Sequence, residues 1–82
     1  MSQLRMGTKT KDSPQEVLAK ASAFFGPKGV GLNIIPRGEN VLEFSGGGGF
    51  VRVEAEPTEE GTEIDIQSQE WSYDVKRFLS QF

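Results

Sequence analysis

The sequence predicts an α+β fold: a five-stranded antiparallel sheet in the order 1-5-4-3-2, with two helices packed on one face as a two-layer sandwich. Three observations carry this. Apolar and polar residues alternate over five separate segments, the mark of half-buried strands. Over two other segments the apolar residues recur at i, i+3 and i+4, the mark of helices with one buried face. The last four strand segments follow one another through turns of about five residues, which suit hairpins but not parallel crossovers.

Residues 3–11 open the chain, with Leu4, Met6, Thr8 and Thr10 alternating against Gln3, Arg5, Lys9 and Lys11. Ser13-Pro14-Gln15-Glu16 then carries a complete helix start: an oxygen-bearing N-cap, proline at the first helical position, and glutamate three residues after the cap. Val17, Leu18, Ala21, Phe24 and Phe25 recur at helical spacing, and Gly26-Pro27 supplies the stop. From Val30 the period returns to two, with Val30, Leu32 and Ile34 in one row, and Pro36 to Asn40 read as a turn. Leu42 and Phe44 continue the inner row, Val41 and Glu43 the outer, before Ser45 and the run Gly46–Gly49 interrupt the strand. Val51, Val53 and Ala55 alternate with Phe50, Arg52, Glu54 and Glu56 in the cleanest strand. After a turn at Pro57–Gly61, Thr62, Ile64, Ile66 and Ser68 alternate with Glu63, Asp65 and Gln67. The closing segment places Val75, Phe78, Leu79 and Phe82 on one helical stripe with Trp71 a turn earlier, Ser72 as N-cap, and Asp74, Lys76 and Arg77 oriented to suit the helix dipole.

Four consecutive short-linked strands form a meander. Stacking both apolar helices on one sheet face buries every apolar row at once. Placing the first strand beside the last sets Arg5, Lys9 and Lys11 next to Glu63 and Asp65, which favours the order 1-5-4-3-2 by cross-strand charge pairing. Residues 1–82 form one domain.

The order of elements, the Ser-Pro-Gln-Glu-Val segment at 13–17 after a first strand, and the closing apolar helix resemble the half-repeat of the TATA-box-binding protein. More loosely they resemble the helix-grip domains typified by START lipid-transfer and birch-pollen-allergen proteins. The helix-grip resemblance implies a ligand cavity between the sheet and the final helix, although this chain is much shorter. The other resemblance implies half of a basic saddle, whereas this chain is one acidic unit, and no DNA-contacting residue carries over.

The composition excludes much chemistry. Cysteine and histidine are both absent, which removes disulfides, thiolate nucleophiles, the commonest zinc ligands and the usual neutral-pH proton carrier. Net charge is −3, from 12 acidic and 9 basic residues, which opposes attraction to phosphate backbones or anionic membranes. No apolar run approaches a membrane span, and the N-terminal residues lack the features of a signal peptide, so a cytoplasmic location is expected. Gly46–Gly49 joins two strands and leads into no helix, so it reads as a flexible hairpin and not as a phosphate loop. The carboxylates between Glu54 and Asp65 match no calcium-loop spacing and read as solvated surface. No catalytic residue, cofactor or metal site is expected.

What is expected is a small non-enzymatic domain for protein interaction or self-association. Its candidate patch is Ile35, Val41 and Phe50 on the uncovered sheet face, beside the edge strand at 30–35. The alternative is a binder of a small apolar ligand beneath the last helix, facing Phe78, Leu79 and Phe82. Trp71 reads as a cap on the core, and Tyr73 as either core rim or binding platform.

Overall fold

The computed structural model describes residues 3–82. Its elements run β1 (Gln3–Thr10), α1 (Pro14–Phe25), β2 (Asn33–Gly38), β3 (Val41–Gly46), β4 (Gly49–Thr58), β5 (Gly61–Gln69) and α2 (Ser72–Leu79). The strands form one antiparallel sheet in the order β1-β5-β4-β3-β2, as the charge pattern and hairpin lengths predict. The sheet is open, with β1 and β2 at its edges.

One core lies between the sheet and the two helices. Val17, Ala21 and Phe25 enter it from α1, Val75 and Phe78 from α2, and Phe44, Val51, Val53, Ala55, Ile64 and Ile66 from the sheet, all fully buried. Phenylalanine rings join the layers. Phe25 stacks at a tilt on Phe44 of β3 (5.4 Å between centroids) and on Phe78 (5.2 Å), while Phe24 meets Phe78 at 5.6 Å and Phe82 meets it edge-on at 5.2 Å. The two helices are thus bridged by aromatic rings over the middle of the sheet.

The predicted start of α1 is realised atom for atom. The Glu16 amide donates to Ser13 Oγ (3.2 Å), and the Ser13 amide donates to Glu16 Oε1 (3.0 Å). Ser13→Ala is therefore expected to cost about 1 kcal/mol in a urea unfolding titration.

Three local expectations are corrected. The second strand begins at Asn33 and not Val30, because the Val30 and Leu32 amides donate to the Phe24 and Phe25 carbonyls (2.8 and 2.9 Å) and so satisfy the end of α1. Ile34, opposite Phe44 on this edge strand, is 39% exposed. The turn expected over 36–40 shrinks to Glu39-Asn40, with Pro36 inside β2, where an edge strand can lack a donor. At the other end Trp71, not Ser72, is the N-cap of α2 and makes no side-chain capping bond. Its indole Nε1 instead donates to the Gly46 carbonyl (3.0 Å), so a tertiary contact fixes the helix entry. Glu70, at φ 77°, turns the chain into it.

That contact also changes the reading of the glycine run. Only Gly47 and Gly48 form the turn, at φ 60° and 83°, the double positive φ that a tight type I′ hairpin requires. The Trp71 ring lies over Gly47, which holds this hairpin against the helix layer.

Two buried hydroxyls behave differently. Thr62 Oγ1 donates to the Asp12 carbonyl (2.6 Å), tying the start of β5 to the β1–α1 link. Ser68 Oγ faces the core, with Leu4 and Val51 as its cross-strand neighbours, and has no hydrogen-bond partner among the described residues. Ser68→Ala is expected to raise stability by about 1 kcal/mol, read as a higher urea midpoint at unchanged slope. A lower midpoint would show that the hydroxyl finds a partner in solution.

Candidate functional site

The sheet face away from the helices is a lattice of charges. Its central cross-strand row runs Ile35, Glu43, Arg52, Gln67, Arg5, and the next runs Val41, Glu54, Asp65, Gly7. Ile35, Val41 and Phe50 all lie on this face, as alternation predicts, and each is half-buried. Ile35 is diagonal to Val41 across the β2–β3 pair, but Phe50 stands apart from Val41. Phe50 is flanked by Ser45 and Gln69, and Glu43, held by Arg37 (3.2 Å), stands between it and Val41 along β3. The structure spaces these three apolar side chains among polar ones.

Phe78, Leu79 and Phe82 sit against the core. Phe78 is fully buried and in ring contact with Phe24, Phe25 and Phe82, so side chains occupy the space beneath this part of α2. Phe82 lies beyond the helix end, with the Lys20 ammonium over its ring at 5.2 Å. Tyr73 is 72% exposed and Trp71 half-buried. Arg77 lies over the rings of both Phe24 (5.1 Å) and Tyr73 (5.7 Å) and is held by Asp74 (3.0 Å). Phe24, Trp71, Asp74 and Arg77 border a shallow open groove with Val30.

The two sheet edges differ most. β2 contains Pro36 and has a register shift between Pro36 and Gly38, both features that disfavour further strand pairing. β1 has eight residues, no proline, and an unbroken register from Gln3 opposite Gln69 to Thr10 opposite Thr62. Its other side pairs with no strand among the described residues, so every second residue directs its N–H and C=O outward. Sequence reasoning looked for the contact beside β2. Pro36 is the residue in the sequence that marks that edge as blunted.

Basic side chains line β1. Arg5 grips Asp65 with two nitrogens (2.8 and 3.3 Å), while Lys9 lies opposite Glu63 in register. The hydrogen bonds that Arg5 donates to Asp65 first, and the Asp65 charge second, raise the Arg5 pKa above its ordinary value. A raised pKa on a cation adds stability that is lost only as pH climbs through that value, far above the working range, so Arg5 confers no pH dependence near neutrality. Neither Lys9 nor Lys11 is in an ion pair among the described residues. Between Arg5 and Lys9, Gly7 leaves an open notch of about 350 Å³ walled by Glu63 and Asp65. No group of three or more metal-ligating side chains is assembled among the described residues. No helix there is long and apolar enough to cross a membrane.

No protein-family model and no curated protein matches this chain. Among solved structures it is similar to the crystal structure of the protein SSP2350 from Staphylococcus saprophyticus, with a TM-score of 0.59 and 17% sequence identity over 98% of this chain and 80% of that one. What the two share is the fold. At that identity the likeness extends to the five-stranded sheet and its helices, and not to a ligand or an activity.

Proposed function

We propose that this chain is a non-enzymatic protein-interaction domain that receives a partner segment on the free edge of β1. The supporting observation is the contrast between the edges: β2 is blocked by Pro36 and an irregular register, whereas β1 is long, regular and unpaired. An extended segment added there gains main-chain hydrogen bonds from groups that otherwise face water, with side-chain contacts on alternate residues supplying selectivity. The topological kinship with the TATA-box-binding-protein half-repeat belongs to the same reading, supported by the element order and the 1-5-4-3-2 sheet. An apolar ligand beneath α2 is less favoured, since the Phe78 ring already fills that space.

The test selects binders from a random displayed-peptide library and maps them by amide chemical shifts on the full chain. Expected are shifts concentrated in Gln3–Thr10 that vanish when alternate peptide nitrogens are methylated. Binders that perturb only the α1–α2 side, or that tolerate methylation, would remove the edge-pairing reading.

A further inference from the structure

Resting on that edge-pairing reading, we infer that the partner is an extended acidic segment of another protein, with two carboxylates flanking one bulky side chain on the face opposite the helices. Charge carries the first part. Residues 3–11 include Arg5, Lys9 and Lys11 and no acidic residue, although the whole chain is net negative. The basic stripe therefore lies on the outermost strand of an otherwise acidic domain. A strand laid along β1 places its own outward side chains directly across from Arg5 and Lys9, where opposite charges stabilise pairing and like charges oppose it.

The notch carries the second part. Gly7 lies between Arg5 and Lys9 in the same outward row, so a partner strand's central residue on that face meets open space. An aromatic side chain fits over a glycine in this position, because it covers backbone that the glycine leaves bare. The notch is also constrained to remain open: a Cβ on Gly7 would come within 2.9 Å of the Ile64 carbonyl oxygen, so larger residues are strained there. On the helix side, the added strand would continue the row of Leu4, Met6 and Thr8 and so favours β-branched residues.

A second copy fits this edge poorly. Two β1 strands paired through their edges bring Arg5 and Lys9 of both copies together, with no carboxylate on either strand to separate them. A nucleic-acid strand could use the lysines. It has, however, no peptide N–H and C=O groups in β-register to pair with the free main-chain groups of β1.

The experiment titrates the full chain with the capped peptide Thr-Glu-Val-Tyr-Val-Glu-Thr, whose outward row reads the same in either direction. A second peptide carries lysine in place of both glutamates, and parallel titrations use a single-stranded oligonucleotide. Expected are chemical-shift changes and slowed amide exchange in Gln3–Thr10 with the acidic peptide and at least tenfold weaker binding of the lysine peptide. Lys9→Glu is expected to weaken the acidic peptide about tenfold, equivalent to ~1.4 kcal/mol, and to strengthen the lysine peptide. Replacing the tyrosine by alanine should weaken binding further. Equal binding of both peptides at β1 would overturn the acidic assignment while leaving edge pairing intact. Absence of change in Gln3–Thr10 with either peptide would overturn both. Stronger protection by the oligonucleotide, or a concentration-dependent doubling of mass that protects the same amides without peptide, would each replace the acidic segment with a different occupant.

Discussion

Phe78→Ala is expected to lower the free energy of unfolding by about 3–5 kcal/mol, the largest single effect in the molecule. The ring is fully buried and touches Phe24, Phe25 and Phe82, so its removal opens a cavity at the junction of both helices, where three other rings lose a partner. A domain of this size holds a total of ~5–10 kcal/mol, so the variant should sit near its unfolding midpoint at modest temperature. Urea titration checks this against Tyr73→Ala, whose exposed ring should move the midpoint little. A Phe78→Leu variant should recover more than half of the loss, since it refills most of the volume. If Phe78→Ala unfolds no more readily than Tyr73→Ala, the aromatic bridge between helices and sheet is not the core.

Gly47→Ala is expected to cost about 2–3 kcal/mol, and the reason is separable into two parts. The left-handed φ of 60° costs a side chain ~1–2 kcal/mol on its own. A Cβ there would also stand 2.6 Å from the Trp71 ring, which must move and weaken its bond to the Gly46 carbonyl. A double-mutant cycle with Trp71→Leu isolates the second part: Gly47→Ala should cost about 1 kcal/mol less once the indole is gone. Strict additivity would place the ring elsewhere. Gly48→Ala is the matched control, because it has positive φ but open space around its Cβ.

These two sites show where the sequence was legible. Phe78 was readable because Val75, Phe78, Leu79 and Phe82 repeat at helical spacing, and an apolar stripe on a helix has to be buried. The capping box at Ser13 was readable because both of its hydrogen bonds are made within four residues. The contact of Trp71 with Gly46 and Gly47 was not, since it joins positions some 25 residues apart and leaves no periodicity behind. For the same reason Ser72 looked like the cap. Its local chemistry is right, but the helix entry is set by an indole seated on a distant hairpin.

The outer sheet face followed the same division. Alternation correctly placed Ile35, Val41 and Phe50 away from the helices, yet whether three such residues form one patch depends on register across three strands. Glu43 and Arg52, in the row that Ile35 itself begins, stand between Val41 and Phe50.

By itself, then, the sequence determined the class of fold, the strand order and the identity of the buried rows, because periodicity, turn length and cross-strand charge are all local or pairwise properties of the chain. Only the tertiary structure decided which sheet edge is long and regular and what holds the glycine hairpin. Both depend on which backbone groups are already satisfied by distant residues, and no local pattern records that.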